Sequence, residues 1–373
     1  MTPTTSNPTF AVEGQKVTVS FTFQKGTDPV NHELADIRVT DLTVGGRPCL
    51  VTTDSLGAAE DVASLPEGRF DAGAAAVGGK VYLVGGKNES ETLDTILEFD
   101  SVKNATRVVN EIPVAIRLAA VVAMDEMIYS LGGFHDNGSV TSTISVYDPK
   151  QNTLREVGLF PEPRYWGAAA VAGDKIYYGG GSYRRQHYDE IFEFNPATGA
   201  TRQVNTLPSA THIFTATSAY GKVYFIGGLT PRPKFQISDI VDYDPVANTS
   251  TVVATFPPPS GSGGLEAQTA VTLNGKIYIF NGWDETAVPK FRDEIYEFDP
   301  LGGEDAVLVG SLPHKVERGA AAAFNGRAYL FGGVNERLSL NSAITEFIPR
   351  GMTAQFNLSL QQWQATCLIP PGL

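Results

Sequence analysis

The chain has 373 residues, enough for two average domains or one large all-β domain. With 42% hydrophobic and 18% charged residues it can bury a sizeable core, and its 38 glycines and 14 tyrosines favour a turn-rich β protein over a helical one. A formal net charge of -13 argues against nucleic acid or an anionic membrane surface as the main partner, and no apolar run reaches the ~18 residues needed to span a bilayer.

The first residues, MTPTTSNPTF, have neither the basic nor the apolar region of a signal peptide. Residues 9–50 then alternate as strands do, in FAVEGQKVTVSFTFQ and ELADIRVTDLTV. After AAEDVASLP (58–66), the text GKVYLVGG (79–86) opens a series: EMIYSLGG (126–133), DKIYYGGG (174–181), GKVYFIGG (221–228), GKIYIFNG (275–282) and GRAYLFGG (326–333). The glycine marks, or Asn281 in the fifth copy, fall at 85, 132, 180, 227, 281 and 332, spaced by 47, 48, 47, 54 and 51 residues. A period near ~50 points to a propeller or a solenoid.

Each unit reads as four short strands. A small-residue strand such as GAAAVGG precedes the glycine-ended strand. A variable loop leads to a third strand with an aromatic–acid corner (LEFD, SVYDP, FEFNP, VDYDP, YEFDP, TEFIP). A fourth strand runs into a Leu-Pro-like turn. Four antiparallel strands per unit make a propeller blade, and small residues suit the crowded axis where six inner strands converge. The sixth unit lacks a fourth strand, while AAEDVASLP is a spare one at the amino-terminal side. The expectation is an all-β, six-bladed propeller whose last blade is closed by an N-terminal strand, hiding its sheet edges. The expected organisation is accessory strands over 1–56, the propeller over 57–350, and 351–373 returning to a small accessory sheet built from both termini. This brings Cys49 and Cys367 to the same blade, where a disulfide is geometrically possible; their spacing suits neither zinc nor a redox dithiol. Five N-x-S/T sequons, at Asn88, Asn104, Asn137, Asn248 and Asn357, hint at a secretory history, with an intracellular protein carrying chance sequons as the alternative.

The six registered copies, an apolar strand, Gly-Gly and then a spaced aromatic over residues 57–348, resemble the Kelch family. The resemblance implies a propeller that binds through the loops on one face. Kelch enzymes of the galactose-oxidase type use copper and a modified cysteine within the blades, but both cysteines here lie outside them. The Glu-x3-Asp-x3-His iron motif of nitrile-specifier proteins is also missing from the sequence. No BTB or F-box segment, the usual companion of Kelch adaptors, is found in these residues. No metal site and no cofactor are expected.

Insertions gather in the loops after the second strand, from KNESET to WDETAVPKFRD, which marks that face as the binding face. Arginine stands 14 to 16 residues before the glycine mark in four units, as Arg69, Arg117, Arg164 and Arg318. Such arginines either tie neighbouring blades through carbonyls or point into the channel mouth as fixed positive charge. The fourth unit has His212 at that place and the fifth has Glu266, titratable groups beside cations. The expected catalytic residues are therefore His212, Glu266 and Arg164. Arg69, Arg117, Arg318, Trp166, Tyr183, Trp283 and Asn281 are the expected substrate-binding residues. Phe70, Phe134, Tyr165, Tyr188 and Phe214 add aromatic surface, with Phe70 and Phe214 assigned to packing between blades. The expected partner is a small organic ligand and the expected activity a cofactor-free isomerase or cyclase, mutarotase-like or a pericyclic cyclisation of a natural-product intermediate. A module reading acidic peptides and a lectin-like sugar binder are the alternatives, and fold alone does not choose among them.

Overall fold

The computed structural model describes residues 59–349, apart from 232–235, 257–263, 286 and the side chain of Asn281, together with the backbone of short strands in both terminal segments. Two compact units are present, one of Ala59–Phe324 and Ala328–Glu346, the other of Met1–Ala58, Asn325–Arg327 and Phe347–Leu373. The larger unit consists of six four-stranded antiparallel sheets. In the first blade the strands run outward from the axis as Gly73–Val77, Lys80–Val84, Thr95–Asp100 and Ala105–Glu111. Four more blades repeat this order, with inner strands Ala120–Met124, Ala168–Ala172, Thr215–Ala219 and Thr269–Leu273.

The sixth blade takes Ala320–Phe324, Arg327–Phe331 and Ala343–Phe347 from one end of the repeat and Ala59–Ser64 from the other, as expected from the spare strand. Leu65 N–H donates to Ser342 O at 2.7 Å, and Leu65 packs with Val81, Phe99 and Phe331 between the sixth and first blades. The closing strand gives the sixth sheet the same four strands as the other five.

The repeated words have a local cause. In the second strands, Tyr82, Tyr177, Tyr278 and Tyr329 donate their hydroxyls to Glu98, Glu193, Glu297 and Glu346 of the adjoining third strands, at 2.6–3.1 Å. Lysines two residues before a tyrosine reach the same acids, as Lys80 to Glu98 and Lys276 to Glu297, and Lys222 reaches Asp242 at the equivalent place in the fourth blade. The Lys-x-Tyr and aromatic–acid motifs are thus two halves of one contact. An isoleucine in each third strand, Ile96, Ile144, Ile191, Ile240, Ile295 and Ile344, is fully buried. In the first five blades it lies at a register shift against the fourth strand.

The first glycine of the pair is forced by the neighbouring blade. Gly85 has φ 62°, and a Cβ there would stand 2.0 Å from Ile116 O. In the fifth blade, whose mark is Asn281, the second strand instead continues to Trp283 and pairs with Phe291 beyond a register shift between Phe280 and Gly282. Around the axis, three residues from each inner strand line a channel of about 400 Å³, all Ala, Val, Thr or Ser. Thr217 and Thr272 share a hydrogen bond there at 2.9 Å.

In the terminal unit, Thr9–Glu13, Lys16–Ser20, Ala365–Leu368, Arg47–Val51 and Ala354–Gln355 lie in that order in one sheet, which therefore mixes both ends of the chain. The cysteine side chains, and with them the disulfide expectation, lie outside the described residues, as does Asn357.

Candidate functional site

Two rings of backbone hydrogen bonds shape the channel mouth. The second glycine of each unit donates to the carbonyl sixteen residues before the next unit's mark, as Gly86 N–H to Ile116 O at 2.9 Å and Gly333 N–H to Arg69 O at 2.8 Å. Two residues further along, Asp71, Leu118, Trp166, Ile213, Ala267 and Arg318 each donate to the preceding member, at 2.9–3.2 Å, and Asp71 closes the circle onto Arg318 O. All six are left-handed, with φ between 56° and 60°. That conformation is unusual for non-glycine residues and costs most for a β-branched one such as Ile213. The circle over-determines it six times.

This geometry separates the arginines into three registers. Sixteen residues before the mark the side chain turns into the blade. Arg69, 2% exposed, donates to Gly85 O at 3.2 Å and Thr95 Oγ1 at 3.1 Å. Arg164, also 2% exposed, donates to Gly180 O at 3.3 Å and Glu190 Oε2 at 3.0 Å and lies 3.5 Å from the centre of the Tyr188 ring. Both are blade ties. The assignments of Arg164 to catalysis and Arg69 to substrate are therefore corrected, because both guanidiniums are enclosed by their own blade.

The next two registers form the mouth. Arg318 grips Asp71 with two bonds of 2.7 and 2.5 Å, and Arg117 adds a third at 3.2 Å. Burial pushes the Asp71 carboxyl above the usual range, against the pull of both guanidiniums. Arg318 of the sixth blade lies over the ring of Phe70 in the first, a contact between blades that leaves Phe70 partly exposed at the mouth. Phe214 is buried against Phe225, as expected.

Glu266 belongs to the fifth blade and pairs through its backbone with Trp283, at 2.9 and 3.1 Å. Burial, with Glu317 and Glu285 nearby, pushes its carboxyl up to about 7, while Arg318 opposes. Among the described residues its buried Oε2 has no hydrogen-bond partner. Glu317, one blade on in the same register, is also raised by burial. The Trp283 ring is half-buried and faces Lys290 Nζ at 5.1 Å, while Gln236 links the Trp283 carbonyl (2.8 Å) to Glu285 N–H (2.9 Å). Asn281 stands at the register shift that carries this hairpin forward, its side chain outside the described residues.

His212 is only 4% exposed, with His187 stacked on it at 3.8 Å. Burial, aided by His187, lowers its pKa to about 4, so it is neutral near pH 7. It is thus covered by His187, whose Nδ1 is 2.8 Å from Ser182 Oγ, and among the described residues its own buried Nδ1 has no hydrogen-bond partner. Trp166 sits on the left-handed circle, half-exposed, and Tyr183 lies on a hairpin formed by Ser182–Tyr183 and Gln186–His187. The four residues Arg164, His212, Glu266 and Trp283, expected around one pocket, thus divide: Glu266 and Trp283 adjoin, Arg164 is enclosed, and His212 is covered. Sequence reasoning passed over Asp71 and Glu317. Aligning the units one residue at a time, in place of a window of 14 to 16, puts Asp71 opposite Arg318 and Glu317 opposite Glu266.

A closed six-bladed propeller with glycine-pair turns and a polar–aromatic mouth defines the class. The family model of the KLHDC2/KLHL20/DRC7 Kelch-repeats domain matches residues 71–282 and again 118–333. The chain belongs to the Kelch-repeat family. It is 27% identical to mouse Kelch-like protein 35 over 62% of this chain and 37% of that protein. It is 25% identical to mouse Kelch-like protein 36 over 60% of this chain and 38% of that protein. Kelch-like protein terF of Aspergillus terreus is 24% identical over 71% of this chain and 61% of its own length. The match thus spans little more than a third of the two mouse proteins.

Proposed function

We propose that this propeller binds a small organic molecule at its channel mouth and acts on it as a cofactor-free isomerase or cyclase. The observation that carries the reading is Glu266, a carboxyl half-protonated near pH 7 with a buried oxygen that no group among the described residues satisfies. An acid tuned to the working pH is what proton donation to a developing oxyanion requires, and such groups concentrate at functional sites. In this reading Glu266 donates to a substrate oxygen as negative charge builds on it. Trp283 and Trp166 supply walls that hold the reactive conformer, the contribution that orientation makes to a unimolecular rearrangement. The ring of arginines expected to anchor an acidic peptide is not available, because Arg69 and Arg164 are enclosed and Arg117 and Arg318 are occupied by Asp71.

The test begins with metabolites that co-purify with the protein, identified by native mass spectrometry and then offered as substrates. Glu266→Gln keeps the shape and removes the titratable proton. It should lower kcat by about a hundredfold or more with little change in KM. A Gln variant with unaltered turnover, or a protein that retains no small molecule at all, would end this reading.

A further inference from the structure

From the blade beside Glu266 back to the second blade, the mouth carries a run of ring contacts. Phe134 meets Tyr165 edge-on at 5.4 Å and 63°, Tyr165 meets Trp166 at 4.9 Å and 44°, Trp166 meets His212 at 5.8 Å and 43°, and only His212 and His187 stack, at 3.8 Å with 12° between the planes. Apart from covered His212, these side chains are half-exposed. Core packing does not ask for this: the blade interiors are filled by other residues, such as Phe192, Phe194 and Tyr178.

A hairpin rises from this run. Its base is fixed by the Tyr165–Ser182 backbone pair and the Ser182–His187 bond, and its tip is Arg184 and Arg185. Both arginines are left-handed, at φ 49° and 66°, in a two-residue turn whose favoured occupants are Asn-Gly or Asp-Gly. Both are exposed, and among the described residues neither has a carboxylate partner, whereas Arg69, Arg117, Arg164 and Arg318 each have one. Arg184 extends over Tyr183, 5.0 Å from the ring centre. In a chain of net charge -13, two adjacent uncompensated guanidiniums above a row of aromatic faces are a local inversion of the molecule's field.

We infer that the tilted rings from Phe134 to His187 form an aromatic wall against one face of which a planar aromatic ligand stacks, its anionic group held by Arg184 and Arg185. This inference rests on the reading of the mouth as a small-molecule site and names the substrate class. Stacking supplies affinity for the plane, and the paired guanidiniums select a carboxylate or sulfonate over a neutral substituent. Such a ligand leaves the Glu266 sector free to meet the end of the molecule away from its charge.

Naphthoate and its neutral isostere naphthamide test this on the intact chain, with binding read by calorimetry. The wild type should bind naphthoate about tenfold more tightly than naphthamide, the gain of one charge-assisted contact. Raised salt should weaken naphthoate alone. The double variant R184Q/R185Q, altered only at exposed positions, should erase the preference and leave naphthamide unchanged. Trp166→Leu should weaken both ligands. A preference that survives R184Q/R185Q, or equal binding of both ligands to the wild type, overturns the inference. The small-molecule reading survives that result if naphthamide still depends on Trp166. If neither ligand binds the wild type, both are overturned.

Discussion

Asp71 shows how much one side chain can hold at this mouth. It is 7% exposed and is the shared acceptor of Arg117 and Arg318, so its removal leaves two guanidiniums confined without a counter-charge. Asp71→Ala should cost about 3–5 kcal/mol in denaturant unfolding, the usual penalty for breaking a buried ion pair from one side. Glu266 and His212 leave opposite signatures in pH. Glu266 titrates near 4.5 when unfolded and about 7 when folded, so across that window only the folded protein holds the proton and stability falls as pH rises. His212 titrates near 6.5 unfolded and about 4 folded, so across that window only the unfolded chain takes up the proton and stability rises with pH. The two partly cancel where the windows overlap. Glu266→Gln should therefore steepen the rise of the thermal midpoint between about pH 4.5 and 6.5, and His212→Phe should flatten it. Equal profiles for both variants and the wild type would refute these environments. The sequence named both residues through their departure from arginine. It did not reveal that His187 covers one of them, because that contact joins two blades.

At the scale of the strand and its turn, the repeat is a device for bringing backbones together. The first glycine is left-handed in five units and lies against the next blade's carbonyl or, at Gly227, against the Gln268 side chain. Gly85→Ala should destabilise the propeller by about 2–4 kcal/mol, combining the left-handed penalty with the clash at Ile116 O. The same change at exposed Gly138, where nothing lies within 4 Å, keeps only the first part and should cost about 1–2 kcal/mol. Equal losses in urea titrations would show that inter-blade approach does not matter. The fifth unit was legible as an exception from Asn281, but the meaning of the exception was not. Its strand runs on to Trp283 and lifts the loop, which places Trp283 beside Glu266.

For the whole molecule, closure couples blades far apart in the chain. Leu65, 4% exposed, follows the closing strand and fills the layer between the sixth and first blades. Leu65→Ala should cost about 2–5 kcal/mol and, if the ring unfolds as one unit, should also speed hydrogen exchange in the distant third-blade strand Lys175–Gly179. Faster exchange confined to the sixth and first blades would show that the ring opens locally. By itself the sequence determined the strand count, the period, the closing strand and the family, because these depend on short-range alternation written six times over. It also indicated one unusual sector. Only the tertiary structure decided which of three consecutive residues per blade faces the mouth, since the left-handed circle sends neighbouring side chains in different directions. It also decided that Asp71 and Arg318, 247 residues apart, are partners. No local pattern encodes that pair; the circle has to close before the two can meet.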